Sequence, residues 1–66
     1  MDFKKYLGKR VTFLLGKEKY SYVIGDVVNV TESTLELKNA IFSNFSKEFK
    51  RGEVDPKNVI GVFSDD

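Results

Sequence analysis

The side chains of this 66-residue chain that could do chemistry are carboxylates, amines and hydroxyls, because it contains neither cysteine nor histidine. Disulfides, thiolate or imidazole metal sites and nucleophilic pairs built on Cys or His are therefore excluded. Acid–base chemistry would have to use scattered carboxylates, namely Asp2, Asp26, Glu32, Glu36, Glu53 and Asp55. On a strand, Glu36 points outward between Leu35 and Leu37. We expect solvated surface carboxylates and a protein that is not an enzyme.

The sequence does not support a metal or cofactor site either. Asp55, Asp65 and Asp66 offer oxygen ligands without the spacing of a calcium loop. The five glycines stand singly, so no Gly-rich loop opens a helix to cradle phosphate. We expect no metal, no cofactor and no small-molecule substrate, which leaves surface binding as the function.

The charge pattern points to one class of binding partner. Net charge is only +1, yet the first twenty residues hold six cations, Lys4, Lys5, Lys9, Arg10, Lys17 and Lys19, and a later group contains Lys47, Lys50 and Arg51. Such side chains neutralise nucleic-acid phosphates. The alternative is an ordinary solvated surface of mixed sign. The near-neutral total argues against strong, sequence-independent binding of nucleic acid.

Hydrophobic periodicity predicts mostly strands. Asp2 to Leu7 can form one helical turn, capped by Asp2 and ended by Gly8, with Phe3, Tyr6 and Leu7 on one side. Alternation predicts strands at residues 9–15, 20–30 with a bend at Gly25, 35–42, 53–55 and 59–63, with a tight turn at 56–58.

The segment Phe42 to Arg51 fits two structures. Phe42, Phe45 and Phe49 match a helical stripe ended by Gly52. Strand alternation is fitted equally well by Ile41, Ser43, Phe45, Lys47 and Phe49. These aromatic residues are either core or subunit contacts, or a platform on which bases stack. Tyr20 and Tyr22 carry the same two interpretations.

Chain length sets the scale of the fold. Sixty-six residues suffice for one domain, residues 1–66, whose folding buries only about 60% of the surface of the unfolded chain. Without disulfides or metals, self-association is the remaining source of added stability. No apolar run reaches the roughly 18 residues of a membrane span and no signal peptide is recognisable, so we expect a soluble, cytoplasmic protein.

Three segments carry a family resemblance: LGKRVTF at residues 7–13, IGDVVNV at 24–30 and LELKNA at 35–40. Together with the element order, they resemble the first motif of the Sm-like (LSm) family, over about residues 3–40. The resemblance implies a mainly β fold, a five-stranded, strongly bent antiparallel Sm-like or SH3-like barrel with a short N-terminal helix.

The resemblance also implies a function. Sm-like barrels form rings in which the fourth strand of one subunit pairs with the fifth strand of its neighbour, and their pore loops contact single-stranded RNA. Residues of this chain at the matching loops are Ser33, Thr34, Lys57 and Asn58. The loop after strand two, TEST at 31–34, lacks the family's Asp and Met-Asn residues, and PKN at 56–58 stands near the usual Arg-Gly position. The alternative is a structural or adaptor protein that keeps the oligomeric barrel without RNA recognition.

Overall fold

The fold is described from a computed structural model that covers residues 2–64. It contains a first 3-10 turn (Phe3–Tyr6), a second 3-10 turn (Pro56–Asn58) and five strands: β1 (Arg10–Leu15), β2 (Tyr22–Val30), β3 (Leu35–Phe42), β4 (Phe49–Val54) and β5 (Val59–Ser64). The prediction of a mainly β chain with five strands is confirmed.

The strands form one antiparallel sheet in the order β4-β3-β2-β1-β5. Because β1, β2 and β3 each lie beside the next strand along the chain, short loops suffice to connect β1 to β2 and β2 to β3. Within residues 2–64, β4 and β5 do not pair with one another, so the sheet is not closed by hydrogen bonds. Each of these two strands is therefore an edge.

One face of the sheet holds the hydrophobic core. Inward positions alternate with outward ones along β1, β2 and β3, as period-two patterning requires. Val54 of β4 and the partly buried Val59 and Val62 of β5 belong to the same cluster as fully buried Phe13. Both edges therefore face one core, and the sheet curves around it.

The predicted irregularity at Gly25 is present. The register between β2 and β3 shifts there, and a side chain at Gly25 would approach Leu37 Cβ to 3.0 Å. Opposite this position, Asn39 adopts a left-handed backbone with φ 53°, and its amide donates to the Asp26 carboxylate at 3.3 Å. Two local features therefore bend the sheet, and alternation in the sequence revealed only the glycine.

The N-terminal turn is 3-10 rather than α-helical. Asp2 caps it as predicted, accepting a backbone hydrogen bond of 3.0 Å. Phe3 and Tyr6 set their rings edge-on to Phe13, with centroids 6.0 and 6.2 Å away. Leu7 does not share this buried side, since it follows the turn and is exposed.

The ambiguous segment 42–51 is neither one helix nor one strand. β3 continues to Phe42, the chain turns with Asn44 at φ 74°, and β4 begins at Phe49, opposite Ala40. The predicted fourth strand at 53–55 was therefore too short at its start. Pairing with β3 decides the structure here, a long-range effect that periodicity does not report.

Candidate functional site

The β2–β3 loop, residues 31–34, is organised by the hydroxyl of Thr31. This oxygen accepts from the backbone N–H groups of Ser33 at 3.3 Å and Thr34 at 3.0 Å, and it donates to the Thr34 carbonyl at 3.4 Å. A side chain that replaces backbone partners in this way fixes a tight turn. Of the two predicted RNA-contacting residues, Ser33 is exposed and Thr34 is half-buried.

The other two predicted residues lie on the second 3-10 turn. Asp55 caps this turn by accepting from the Lys57 backbone N–H at 2.9 Å, and the Lys57 side chain is exposed. Asn58 instead contacts the β1–β2 loop: its side-chain NH2 group donates to the Glu18 carboxylate at 2.6 Å, and its backbone carbonyl accepts from the Gly16 N–H at 2.7 Å. The Asn58 amide group is thus already engaged within the chain.

The structure brings the two predicted loops to one cavity. This open cavity of about 410 Å³ is lined by Asp2, Phe3, Lys4, Val30, Thr31, Glu32 and Pro56. None of the four predicted contact residues belongs to this lining, although Ser33 and Lys57 come directly after the lining residues Glu32 and Pro56 in the sequence. The cavity lining contains charged groups of both signs. Asp65 and Asp66, which the sequence analysis considered as oxygen ligands, lie outside the described residues.

The edge strand β5 exposes large apolar side chains. Ile60 is 73% exposed and Phe63 64%, although they occupy a six-residue strand that borders β1 along its whole length. Phe63 also belongs to a row of outward residues aligned across four strands. We call this the outer apolar row after its three apolar members, Phe63, Ile24 and Ile41; Thr12 lies between Phe63 and Ile24.

A charged row runs beside the outer apolar row. Arg10, Asp26, Lys38 and Arg51 are aligned in register across β1 to β4. Arg10 lies 3.4 Å from the Asp26 carboxylate and 3.8 Å from that of Glu48. One of the basic residues of the first twenty is therefore balanced by two carboxylates.

Four aromatic rings meet at one end of the sheet. We call this group, Tyr20, Phe42, Phe45 and Phe49, the aromatic cleft. Its residues lie before β2, at the end of β3, in the β3–β4 turn and at the start of β4, positions that coincide because neighbouring strands are antiparallel. Neighbouring ring centroids are 4.9 to 6.2 Å apart. With Arg51 and Gly52 they line an open cavity of about 290 Å³.

A partly buried hydrogen bond joins the two chain segments that carry Tyr20 and Phe42 of the aromatic cleft. Ser43, the buried polar residue at the end of β3, accepts from the Ser21 backbone N–H through its hydroxyl at 2.9 Å, and its own N–H donates to the Tyr22 carbonyl at 3.0 Å. These bonds tie the segment carrying Tyr20 to the segment carrying Phe42. These two hydrogen bonds, one to the Ser43 hydroxyl and one between backbone groups, therefore fix the position of Tyr20 relative to Phe42.

Sequence reasoning left the aromatic residues open between packing and stacking. It did not join Tyr20 to the three phenylalanines, because the four rings meet only once β2 pairs with β3 and β3 pairs with β4. The available signal was local: three phenylalanines within eight positions, followed by Arg51 and Gly52.

Among residues 2–64, no helix has the length and apolar character needed to cross a membrane. Comparison with known proteins places the chain beside none of them: no match was found to a protein-family model, to a curated protein or to a solved structure.

Proposed function

We propose that this protein is a divergent Sm-like β-barrel that assembles into a homo-oligomeric ring and binds single-stranded RNA, rather than an enzyme. The observation that carries the proposal is the strand order β4-β3-β2-β1-β5, which puts β4 at one edge and β5 at the other. Two different open edges suit head-to-tail association, with β4 of one copy pairing with β5 of the next. Association also buries apolar surface that so small a domain cannot bury alone.

RNA contact is assigned to the two loops that flank the 410 Å³ cavity. Ser33 and Thr34 supply hydroxyl groups, and Lys57 supplies an exposed ammonium group. Asn58 offers its side-chain carbonyl oxygen as an acceptor, while its side-chain NH2 group is bound to Glu18. Hydroxyls, amides and ammonium groups suit the base edges, 2′-hydroxyls and phosphates of RNA, and a ring repeats each weak contact.

The test combines solution mass with RNA binding. Light scattering is expected to give a multiple of the 7.6 kDa protomer, and a fluorescein-labelled ten-nucleotide oligo-uridine or oligo-adenine should bind with salt-sensitive anisotropy. Lys57→Gln should reduce the slope of log K against log salt by about 0.7. Lys5→Gln, which removes an exposed lysine from the N-terminal turn, is the matched control. A protein that stays monomeric at micromolar concentration would remove the ring mechanism.

A second candidate, an oligomeric adaptor without RNA recognition, is favoured by the outer apolar row. The outward face of a solvated sheet is normally polar, whereas here it presents Ile24, Ile41 and exposed Phe63. A protein partner would cover this face. A ring that ignores both oligonucleotides, and whose association with a purified protein partner is lost in Ile24→Thr, would support the adaptor.

A further inference from the structure

We propose that the aromatic cleft is a binding site for one base of the single-stranded RNA, distinct from the two loops assigned above. The inference rests on the proposed function, because it names a second contact of the same ligand. It does not depend on assembly of the oligomeric ring, since all four aromatic residues belong to one chain.

The shape of the aromatic cleft suits a flat aromatic ligand. Phe45 is 42% exposed, while Tyr20, Phe42 and Phe49 are half-buried behind it. The rings are tilted by 48° to 81° to one another, so they do not stack face to face among themselves. The cavity of about 290 Å³ lies just below the roughly 300–1,000 Å³ of small-molecule pockets. One base fits this volume better than a longer ligand.

The charge around the cleft selects an anionic ligand. Arg51 lines the cavity and forms an ion pair with the Glu36 carboxylate at 3.7 Å. The ammonium of Lys47 lies 5.3 Å from the centroid of the Phe49 ring. Exposed Lys50 lies between Lys47 and Arg51 in sequence. The nearby carboxylate of Glu48 faces Arg10 at 3.8 Å. An uncharged aliphatic partner would use the rings but not Lys47 and Lys50, whereas a nucleotide offers a base to the rings and a phosphate to these lysines.

The cleft is also held open before a ligand arrives. The Ser43–Ser21 hydrogen bond of 2.9 Å fixes its two walls. Gly52 forms its floor, where a side chain would approach the Phe42 ring to 3.1 Å. A preformed site loses little conformational entropy on binding, which favours affinity from few contacts.

The first experiment measures anisotropy of the same two labelled oligonucleotides with the full chain. Phe45→Ala is expected to weaken binding at least fivefold, which equals about 1 kcal/mol at 1.4 kcal/mol per factor of ten. Phe45→Tyr keeps a ring and should bind like the wild type, while Phe45→Leu keeps apolar volume without a stacking face and should bind weakly. Val28→Ala is the control, because it trims an apolar side chain of similar exposure, 47%, on β2.

Two further variants isolate the charge. Lys47→Gln should lower the salt slope by about 0.7. Lys5→Gln removes a lysine that lies 5.2 Å over the Tyr6 ring, the same kind of cation–ring pair at the N-terminal turn, and should leave the slope unchanged. Circular dichroism of each variant checks the fold, and fluorine NMR of fluorophenylalanine-labelled protein checks that RNA shifts the Phe45 signal.

The outcomes separate the two proposals. If the wild type binds neither oligonucleotide, the proposed function and the cleft assignment both fail. If RNA binds, depends on Lys57 and is unchanged by Phe45→Ala, the cleft assignment alone is overturned. If Phe45→Ala changes the solution mass and leaves RNA affinity intact, the cleft holds an apolar side chain of a second copy, which also overturns it.

Discussion

Replacing Gly52 with alanine is expected to lower the free energy of unfolding by about 1–2 kcal/mol. The new methyl carbon would lie 2.9 Å from Ala40 Cβ and 3.1 Å from two atoms of the Phe42 ring. Ala40 Cβ is attached directly to the β3 backbone, and the Phe42 ring is packed against Tyr20, so neither yields easily. Such overpacking costs about 1–3 kcal/mol, offset by about 0.4–1 kcal/mol because alanine restricts the unfolded chain.

Gly61→Ala is the matched control for this prediction. Its methyl carbon would meet Leu14 at 3.1 Å, but the contacted atom, Cδ1, is the far end of a flexible side chain. We expect stability within about 0.5 kcal/mol of the wild type. The double variant Ala40→Gly with Gly52→Ala moves the methyl group across the contact and should recover part of the loss, with a coupling of at least about 0.5 kcal/mol.

The assay is urea unfolding followed by circular dichroism. All variants are compared at the same protomer concentration, because association is linked to folding, and the series is repeated at a second concentration. A Gly52→Ala protein as stable as the wild type would refute the packing argument. Equal losses in Gly52→Ala and Gly61→Ala would refute it as well, since they would indicate a general effect of alanine in edge strands.

Two further predictions concern local backbone structure. Asn39→Ala should cost about 1–2 kcal/mol of stability, because a backbone φ of 53° disfavours an ordinary side chain and the hydrogen bond to Asp26 is lost. Asn39→Gly should cost less, since glycine adopts this φ readily, and the urea midpoints of the two variants test the difference. Thr31→Val should lower stability by about 1 kcal/mol and reduce the protection of the Ser33 amide against hydrogen exchange to that of an open loop, whereas Thr31→Ser should retain both. Equal behaviour of the two variants would contradict the role of the hydroxyl.

Much of the fold follows from local alternation. Strands β1, β2, β3 and β5 lie within two residues of their predicted limits, because each has an inward apolar set that must be buried. The turn at Pro56 was equally readable, since proline cannot donate to a ladder. The start of β4 was not predictable, because the segment 42–51 fits a helical period and a strand period equally well and only pairing with β3 decides between them.

The candidate site, like the fold, was only partly predictable from the sequence. Loop positions Ser33 and Lys57 could be placed from element order alone. The engagement of Asn58 by Glu18 joins residues forty positions apart, and no local pattern predicts it. The aromatic cleft likewise depends on contacts between two separate connections, and on Ser43, whose burial as a polar residue has no signature in the sequence.

The two edges of the sheet differ in a way that bears on how the protein behaves at high concentration. β4 carries Lys50, Arg51 and Glu53, so two β4 edges that meet side by side must bring charges together. β5, with the sequence VIGVFS, carries none, and it exposes Ile60 and Phe63 on a strand that pairs only with β1 among the strands of residues 2–64. Charged residues on an edge strand discourage unwanted strand pairing, and an uncharged apolar edge invites it. Colloidal stability of this chain therefore depends on keeping β5 covered.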